Sequence, residues 1–112
     1  MSIKNTLKLD NEELSNKIIS LVDEPNKISD VEQYDFLDGE GYIRLEVYLD
    51  GYRDPENDWS ILDIEVAKSP YDGTTSSYKN LNDVISEINS GLSNVVPEYL
   101  DGDRDKFGQS QD

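Results

Sequence analysis

The chain contains no cysteine and no histidine among its 112 residues. Without cysteine it can form no disulfide, no thiolate metal site and no thiol nucleophile. Without histidine it lacks the commonest general base and the commonest ligand of transition metals. Basic residues are also few, because ten lysines and arginines stand against 25 aspartates and glutamates, for a net charge of −15. Acidity is therefore the dominant property of this sequence.

The acidity limits the partners that the chain can bind. Nucleic acids and anionic membranes are both bound through basic patches, so a net charge of −15 argues against either as a direct partner. A basic protein or a cation is favoured instead. The open alternative is that the acidity serves only solubility, as it does in halophilic proteins.

Long apolar runs are absent as well. The N-terminal segment "MSIKNTLKLDNEEL" has no apolar stretch of the kind found in a signal peptide, and no run approaches membrane-spanning length. We therefore expect a cytoplasmic protein of a bacterial cell, encoded by the bacterium, a phage or another mobile element. The length predicts a single domain, which we place at residues 10–100, between a flexible lead-in at 1–9 and an acidic mobile tail at 101–112.

Two segments show the apolar period of an amphipathic helix. In the first, Asp10 is a good N-cap and Glu13 completes a capping-box pattern, while Pro25 ends the helix near Asp23. Its apolar stripe consists of Leu14, Ile18, Leu21 and Val22. In the second, Asn80 can act as the N-cap and Pro97 stops any continuation. The second stripe consists of Leu81, Val84, Ile85, Ile88 and Leu92.

Three segments between these helices indicate β-strands. Residues 30–38 form a weak strand with Tyr34 and Phe36 on one face, and "DGEG" at 38–41 predicts a hairpin turn. In residues 42–50 the apolar face carries Ile43, Leu45, Val47 and Leu49, and the polar face carries Tyr42, Arg44, Glu46, Tyr48 and Asp50. In residues 59–67 the inward residues are Leu62, Ile64 and Val66, and the outward ones are Asp63 and Glu65. The segment 68–77 is a predicted loop.

The order of elements predicts the fold class. One helix, three strands and a second helix favour an α+β two-layer sandwich, in which a three-stranded antiparallel sheet has a helix before it and a helix after it. Both helices are expected on the apolar face of the sheet, which leaves the polar face toward solvent.

The negative charge is concentrated in the strands and their loops. Between Asp30 and Glu65 there are twelve carboxylates and only two arginines, a net charge of −10. Carboxylates on neighbouring strands are spaced about 4.8 Å apart, and those on one strand face about 7 Å apart, which resembles a grid of phosphates. Aromatic residues on the same face add rigid contact area. The predicted partner contacts are Asp35, Glu46, Tyr48, Asp50, Asp54, Glu56, Asp58, Asp63 and Glu65.

A short, histidine-free, strongly acidic chain in this order of elements resembles some small phage anti-CRISPR proteins, and the wider group of DNA-mimic and anti-restriction inhibitors. The resemblance covers residues 10–100 in composition and element order, and it carries over no individual residue. It implies an inhibitor, not an enzyme, that occupies the nucleic-acid-binding surface of a partner enzyme and blocks access of the substrate. No cofactor is expected.

Two further hypotheses stay open for the acidic face. The first is an immunity protein that neutralises a cognate bacterial toxin, since the same electrostatics would serve a different partner. The second is a solvated face whose charge keeps the sheet soluble. A homodimer that covers the face is also left open.

The C-terminal stretch has a third function to consider, which is calcium binding. Its carboxylates Asp101, Asp103, Asp105 and Asp112 match positions 1, 3, 5 and 12 of an EF-hand loop. Position 6 should be glycine for the sharp turn, but it is Lys106, and position 12 is normally glutamate. The pattern is therefore that of a degenerate calcium loop, and an acidic tail is favoured.

Overall fold

The computed structural model describes residues 2–35, 42–56, 60–68 and 77–98. Three helices are present there: α1 (Lys4–Leu7), α2 (Asn11–Leu21) and α3 (Leu81–Asn94), with a 3-10 turn at Pro25–Lys27. The strands are β1 (Ile28–Asp35), β2 (Tyr42–Leu49), β3 (Tyr52–Arg53), β4 (Ile61–Lys68), β5 (Ser77–Tyr78) and β6 (Val96–Pro97). The mixed α+β class predicted from the sequence is confirmed.

The main sheet has four antiparallel strands in the order β1-β2-β4-β5, where three were predicted. The additional strand β5 pairs Tyr78 with Ala67 at the end of β4, and the following Lys79 N–H donates to the Val66 carbonyl at 2.9 Å. A two-residue strand is too short to show an alternation of apolar and polar residues, so the sequence pattern predicted a loop there. The strands β3 and β6 form a separate small ribbon.

The core lies between one face of the sheet and the helices α2 and α3. All four apolar side chains predicted inward on β2 are buried, as are Leu62, Ile64 and Val66 of β4. Every residue of the stripe predicted for α3 is also buried. We call this side of the sheet the inner face and the opposite side the outer face.

The two long helices begin at the predicted caps. The Asp10 carboxylate accepts a hydrogen bond from the Glu13 N–H at 2.9 Å, and the Asn80 side chain accepts one from the Asn82 N–H at 2.8 Å. Such a cap contributes about 1 kcal/mol by satisfying an amide that has no partner within the helix. One stripe residue differs from the prediction: Leu21 is 40% exposed, because α2 ends there and the extended Val22 turns into the core instead.

The N-terminal residues are more structured than the predicted loose lead-in at 1–9. Ile3 is fully buried and Leu7, one helical turn later in α1, is also buried. The Ile3 N–H donates to the Lys79 carbonyl at 3.0 Å, which ties the N-terminal segment to the chain between β5 and α3. The four-residue spacing of Ile3 and Leu7 was the signal for this turn of helix.

The helix α3 approaches the sheet closely at Gly91. A Cβ atom added at Gly91 would lie 2.8 Å from Cδ1 of Leu62, so glycine permits the contact between α3 and β4. At the end of α3, the half-buried Lys27 donates to the Leu92 carbonyl at 2.9 Å and lies 5.3 Å from the ring centre of Tyr52. A cation at this position also interacts favourably with the C-terminal end of the helix dipole.

Candidate interaction surface on the sheet

The outer face of the sheet brings polar side chains from β1, β2 and β4 into three rows. Paired residues in neighbouring antiparallel strands point to the same side of a sheet, about 4.8 Å from one strand to the next. The first row is Asp30, Tyr48 and Ile61, the second is Glu32, Glu46 and Asp63, and the third is Tyr34, Arg44 and Glu65. We call these nine residues the acidic patch, because they contain five carboxylates and one guanidinium.

The middle row places three carboxylates side by side across three strands. Glu32 pairs with Glu46, and Glu46 pairs with Asp63. Like charges directly opposite each other in a sheet are destabilising, so this row has to be compensated by neighbouring groups. The compensation comes from the rows on either side.

Arg44, in the third row, supplies the positive charge of the patch. Its Nη2 donates to Glu46 Oε2 at 2.8 Å, and its Nε lies 3.8 Å from Asp63 Oδ1. The Glu46 side chain is only 15% exposed, compared with 42% for Asp63. Arg44 therefore holds Glu46 through a short charge-assisted hydrogen bond and interacts more weakly with Asp63.

Two tyrosines also hold the glutamates of the middle row. The Tyr34 hydroxyl donates to Glu32 Oε1 at 2.9 Å, and the Tyr48 hydroxyl donates to Glu46 Oε1 at 2.9 Å. The two hydroxyl oxygens lie 3.3 Å apart. Both oxygens of Glu46 therefore have a donor from within the patch, which fixes the side chain that stands at its centre.

Two groups of the patch have shifted pKa values. Hydrogen bonding to Tyr34 and to Glu46, together with burial, raises the pKa of Tyr48 above its ordinary value. Burial raises the pKa of Asp63, the Arg44 charge lowers it, the Glu46 charge raises it, and the net direction is upward. Burial is the largest of these causes, so the raised pKa of Asp63 reflects loss of hydration of the carboxylate more than the charge of Glu46.

The structure brings together four of the residues predicted as partner contacts, namely Glu46, Tyr48, Asp63 and Glu65. Asp50 lies outside the patch, in the turn between β2 and β3, where its N–H donates to the Lys27 carbonyl at 2.9 Å. The turn is made by Gly51, whose φ of 80° lies in the left-handed region that favours glycine.

Asp54 and Glu56 lie on the helix side of the molecule, not on the outer face. The Asp54 carboxylate accepts a hydrogen bond from the Glu56 N–H at 2.9 Å. With Leu62, Gly91 and Asn94 these residues line a cleft of about 320 Å³ beside α3. Asp54 and Glu56 therefore lie beside α3, apart from the rows of the acidic patch.

The structure does not describe the side chains of two of the nine predicted contacts, Asp35 and Asp58. Asp35 pairs through its backbone with Ile43, outside the three rows, and its side chain lies outside the described residues. Asp58 also lies outside them, as do the calcium candidates Asp101, Asp103, Asp105 and Asp112. Within the described ranges, no group of three or more carboxylates is arranged to hold a metal ion.

Sequence reasoning missed the contribution of β1 to the patch. Asp30, Glu32 and Tyr34 alternate along the strand, so all three share the outer face. The same alternation rule that placed Tyr34 would have placed the two carboxylates. It would also have placed Ile61 outward on β4, two residues before Asp63.

No helix in the described part of the chain is both long enough and apolar enough to cross a membrane. Comparison with protein families, with curated proteins and with solved structures found no match for this chain.

Proposed function

We propose that this protein is a small acidic inhibitor that binds the basic, nucleic-acid-binding surface of a partner enzyme and blocks access of the substrate. The partner class is a nucleic-acid-processing enzyme, such as a nuclease of a host defence system. The contact surface is the acidic patch on the outer face of the sheet. The inhibition would involve no chemistry, only occupation of the site.

The observation that supports this proposal best is the row of Glu32, Glu46 and Asp63. Three carboxylates in register across neighbouring strands repel one another, and because the patch has one guanidinium, that of Arg44, the row keeps a net negative charge. A basic partner would compensate the repulsion. Asp63 and Glu65 extend the charge along β4 with the spacing of about 7 Å between same-face residues.

The fixed positions of the side chains favour binding. Tyr34, Tyr48 and Arg44 hold Glu32 and Glu46 in place through hydrogen bonds of 2.8–2.9 Å. Side chains that are already ordered lose less entropy on association. The net charge of −15 adds long-range attraction that raises the association rate with a basic partner.

The proposal is tested by affinity capture followed by elution with DNA. The immobilised protein is incubated with a nuclease-treated bacterial lysate in EDTA, and the column is then washed with a duplex oligonucleotide. An enzyme whose DNA-binding surface is occupied by the acidic patch should be released by the duplex, and mass spectrometry identifies it. A toxin whose own binding surface lies elsewhere would stay bound, which separates the immunity hypothesis from inhibition by DNA mimicry.

Two variants of equal net charge test whether the captured enzyme binds through the acidic patch. The patch variant carries Glu32→Gln, Asp63→Asn and Glu65→Gln, and the helix variant carries Glu12→Gln, Asp23→Asn and Asp83→Asn. Each removes three carboxylates, and the second set is exposed on or next to the helices. We expect the patch variant to lose the captured enzyme and the helix variant to keep it. Equal capture by both would contradict the proposed surface.

A further inference from the structure

One end of the acidic patch is apolar. In the first row Tyr48 pairs with Ile61, and both side chains are partly exposed. The partly buried apolar side chains that pack against the core are Ile19, Tyr52 and Tyr78. Tyr48 and Ile61 belong instead to the opposite side of the sheet, where they form a small apolar surface beside the carboxylates.

This apolar surface is ordered. The Tyr48 hydroxyl is held by Glu46 at 2.9 Å and lies 3.3 Å from the Tyr34 hydroxyl, so the ring has a fixed direction. A rigid aromatic ring gives contact area at a low cost in side-chain entropy. Ile61 is β-branched and its side chain is correspondingly stiff. Two ordered apolar groups with carboxylates on one side offer a partner both apolar and charged contact, the two kinds of contact found in protein interfaces.

We infer that the acidic patch binds a protein surface on which an apolar side chain stands next to lysines or arginines. The apolar side chain would contact Tyr48 and Ile61, and the basic side chains would contact Asp63, Glu65 and Glu32. This inference rests on the proposed function and narrows the partner surface. A phosphate backbone offers charge alone, whereas this patch also offers apolar contact, so part of the affinity is independent of salt.

A second copy of the chain fits this surface poorly. Two acidic patches placed face to face would bring five carboxylates from each copy together around one arginine from each. Like charges brought together at an interface cost several kcal/mol. The charge of the patch therefore selects a basic occupant.

Two synthetic peptides test the inference without knowledge of the natural partner. The peptides acetyl-RRGLGRR-amide and acetyl-RRGSGRR-amide have the same charge and differ only in a central leucine or serine. Each is titrated into the ¹⁵N-labelled full-length protein at low salt, and the amide shifts of β2 and β4 are followed. We expect the leucine peptide to bind about three- to tenfold more tightly, the gain for partial burial of one apolar side chain.

The variant Ile61→Thr should remove the difference between the peptides, because it keeps the branched shape but loses apolar surface. The control is Leu21→Thr, which removes an exposed leucine at the end of α2 and should leave the difference intact. Preserved amide spectra show that both variants are folded.

The outcomes separate this inference from the proposed function. Equal binding of the two peptides at the acidic patch would overturn the inference and leave the electrostatic proposal standing. Shifts absent from the patch with both peptides would contradict the proposal and the inference together. A concentration-dependent dimer that Ile61→Thr dissociates, measured by sedimentation, would assign the apolar surface to self-association and would also overturn the inference.

Discussion

The hydroxyl oxygens of Tyr34 and Tyr48 lie 3.3 Å apart, and each hydroxyl donates to a different glutamate of the same row. Tyr34 comes from β1 and Tyr48 from β2, so the contact joins two strands on the outer face. The tyrosines therefore have a structural role, since their hydroxyls order the side chains of Glu32 and Glu46.

The substitution Tyr48→Phe should lower the free energy of unfolding by about 1 kcal/mol, since it removes a hydrogen bond to a charged, largely buried acceptor. Glu46 Oε1 would lose the donor that now lies 2.9 Å away. Urea unfolding followed by circular dichroism measures the change. Tyr78→Phe is the matched control, because the Tyr78 ring packs against the core and its hydroxyl makes no hydrogen bond within the described residues. An equal effect of the two substitutions would contradict the role assigned to the Tyr48 hydroxyl.

Arg44→Met should destabilise the protein by about 1–2 kcal/mol, because Glu46 and Asp63 would then face each other without the guanidinium. The effect should be smaller in a protein that also carries Asp63→Asn, since one of the two repelling charges is gone. A double-mutant cycle in urea measures this coupling. Strictly additive effects of the two substitutions would show that Arg44 does not compensate Asp63.

The stability of the protein should depend on pH through Asp63. Because the folded state raises the pKa of Asp63 above its ordinary value of 3.8, the folded protein holds more protons than the unfolded chain between that value and the raised one. This contribution makes the protein more stable as the pH falls through that window and less stable as the pH rises above the folded-state pKa.

Asp63→Asn removes this contribution. The variant should be equal to the wild type or more stable by a few tenths of a kcal/mol at neutral pH, a small effect because Asp63 is 42% exposed. Its advantage should shrink as the pH is lowered toward about 4, which urea unfolding at several pH values measures. Asp23→Asn is the control for loss of an exposed carboxylate. An advantage of the Asp63 variant that grows on acidification would contradict the raised pKa.

Gly91→Ala should change the free energy of unfolding by less than about 1 kcal/mol, because two opposing effects are of similar size. The new Cβ would lie 2.8 Å from Leu62 Cδ1, the end of a flexible side chain that has to move aside, and this cost opposes the roughly 1 kcal/mol gained in helix propensity. Combined with Leu62→Val, which removes the obstructing atom, the same substitution should become stabilising. Thermal unfolding of the wild type, the two single variants and the double variant measures whether Leu62 opposes the effect of Gly91→Ala.

The sequence predicts the long helices and strands of this fold, whose apolar residues recur at a regular period, and misses the short elements. The caps Asp10 and Asn80 and the alternation along β2 are local signals, so they could be identified without a structure. The strand β5 depends on pairing with Ala67 and Lys68 of β4, a tertiary contact that leaves no pattern in two residues. The burial of Ile3 in the core likewise depends on a distant segment around Lys79.

For the candidate site, the sequence predicts which residues of one strand share a face, but not which residues of neighbouring strands or loops lie beside them. Alternation within one strand puts Glu46 with Tyr48, and Asp63 with Glu65, on one face. The pairing that sets Glu32 beside Glu46 depends on strand register, which a single sequence does not determine when six residues separate the two strands. Loop residues such as Asp54 follow no period, and their position beside α3 could only come from the structure.

The central claim is that the acidic patch competes with nucleic acid for a basic surface of a partner enzyme. It is tested most directly with the enzyme that is captured on the immobilised protein and then eluted with a DNA duplex. Fluorescence anisotropy of a labelled duplex bound to that enzyme is measured while this protein is added at several salt concentrations. The account predicts displacement of the duplex, an affinity that weakens steeply with salt, and a shallower salt dependence for the patch variant than for the helix variant. Binding of this protein to the enzyme without displacement of the duplex, or with the same salt dependence for both variants, would contradict the account.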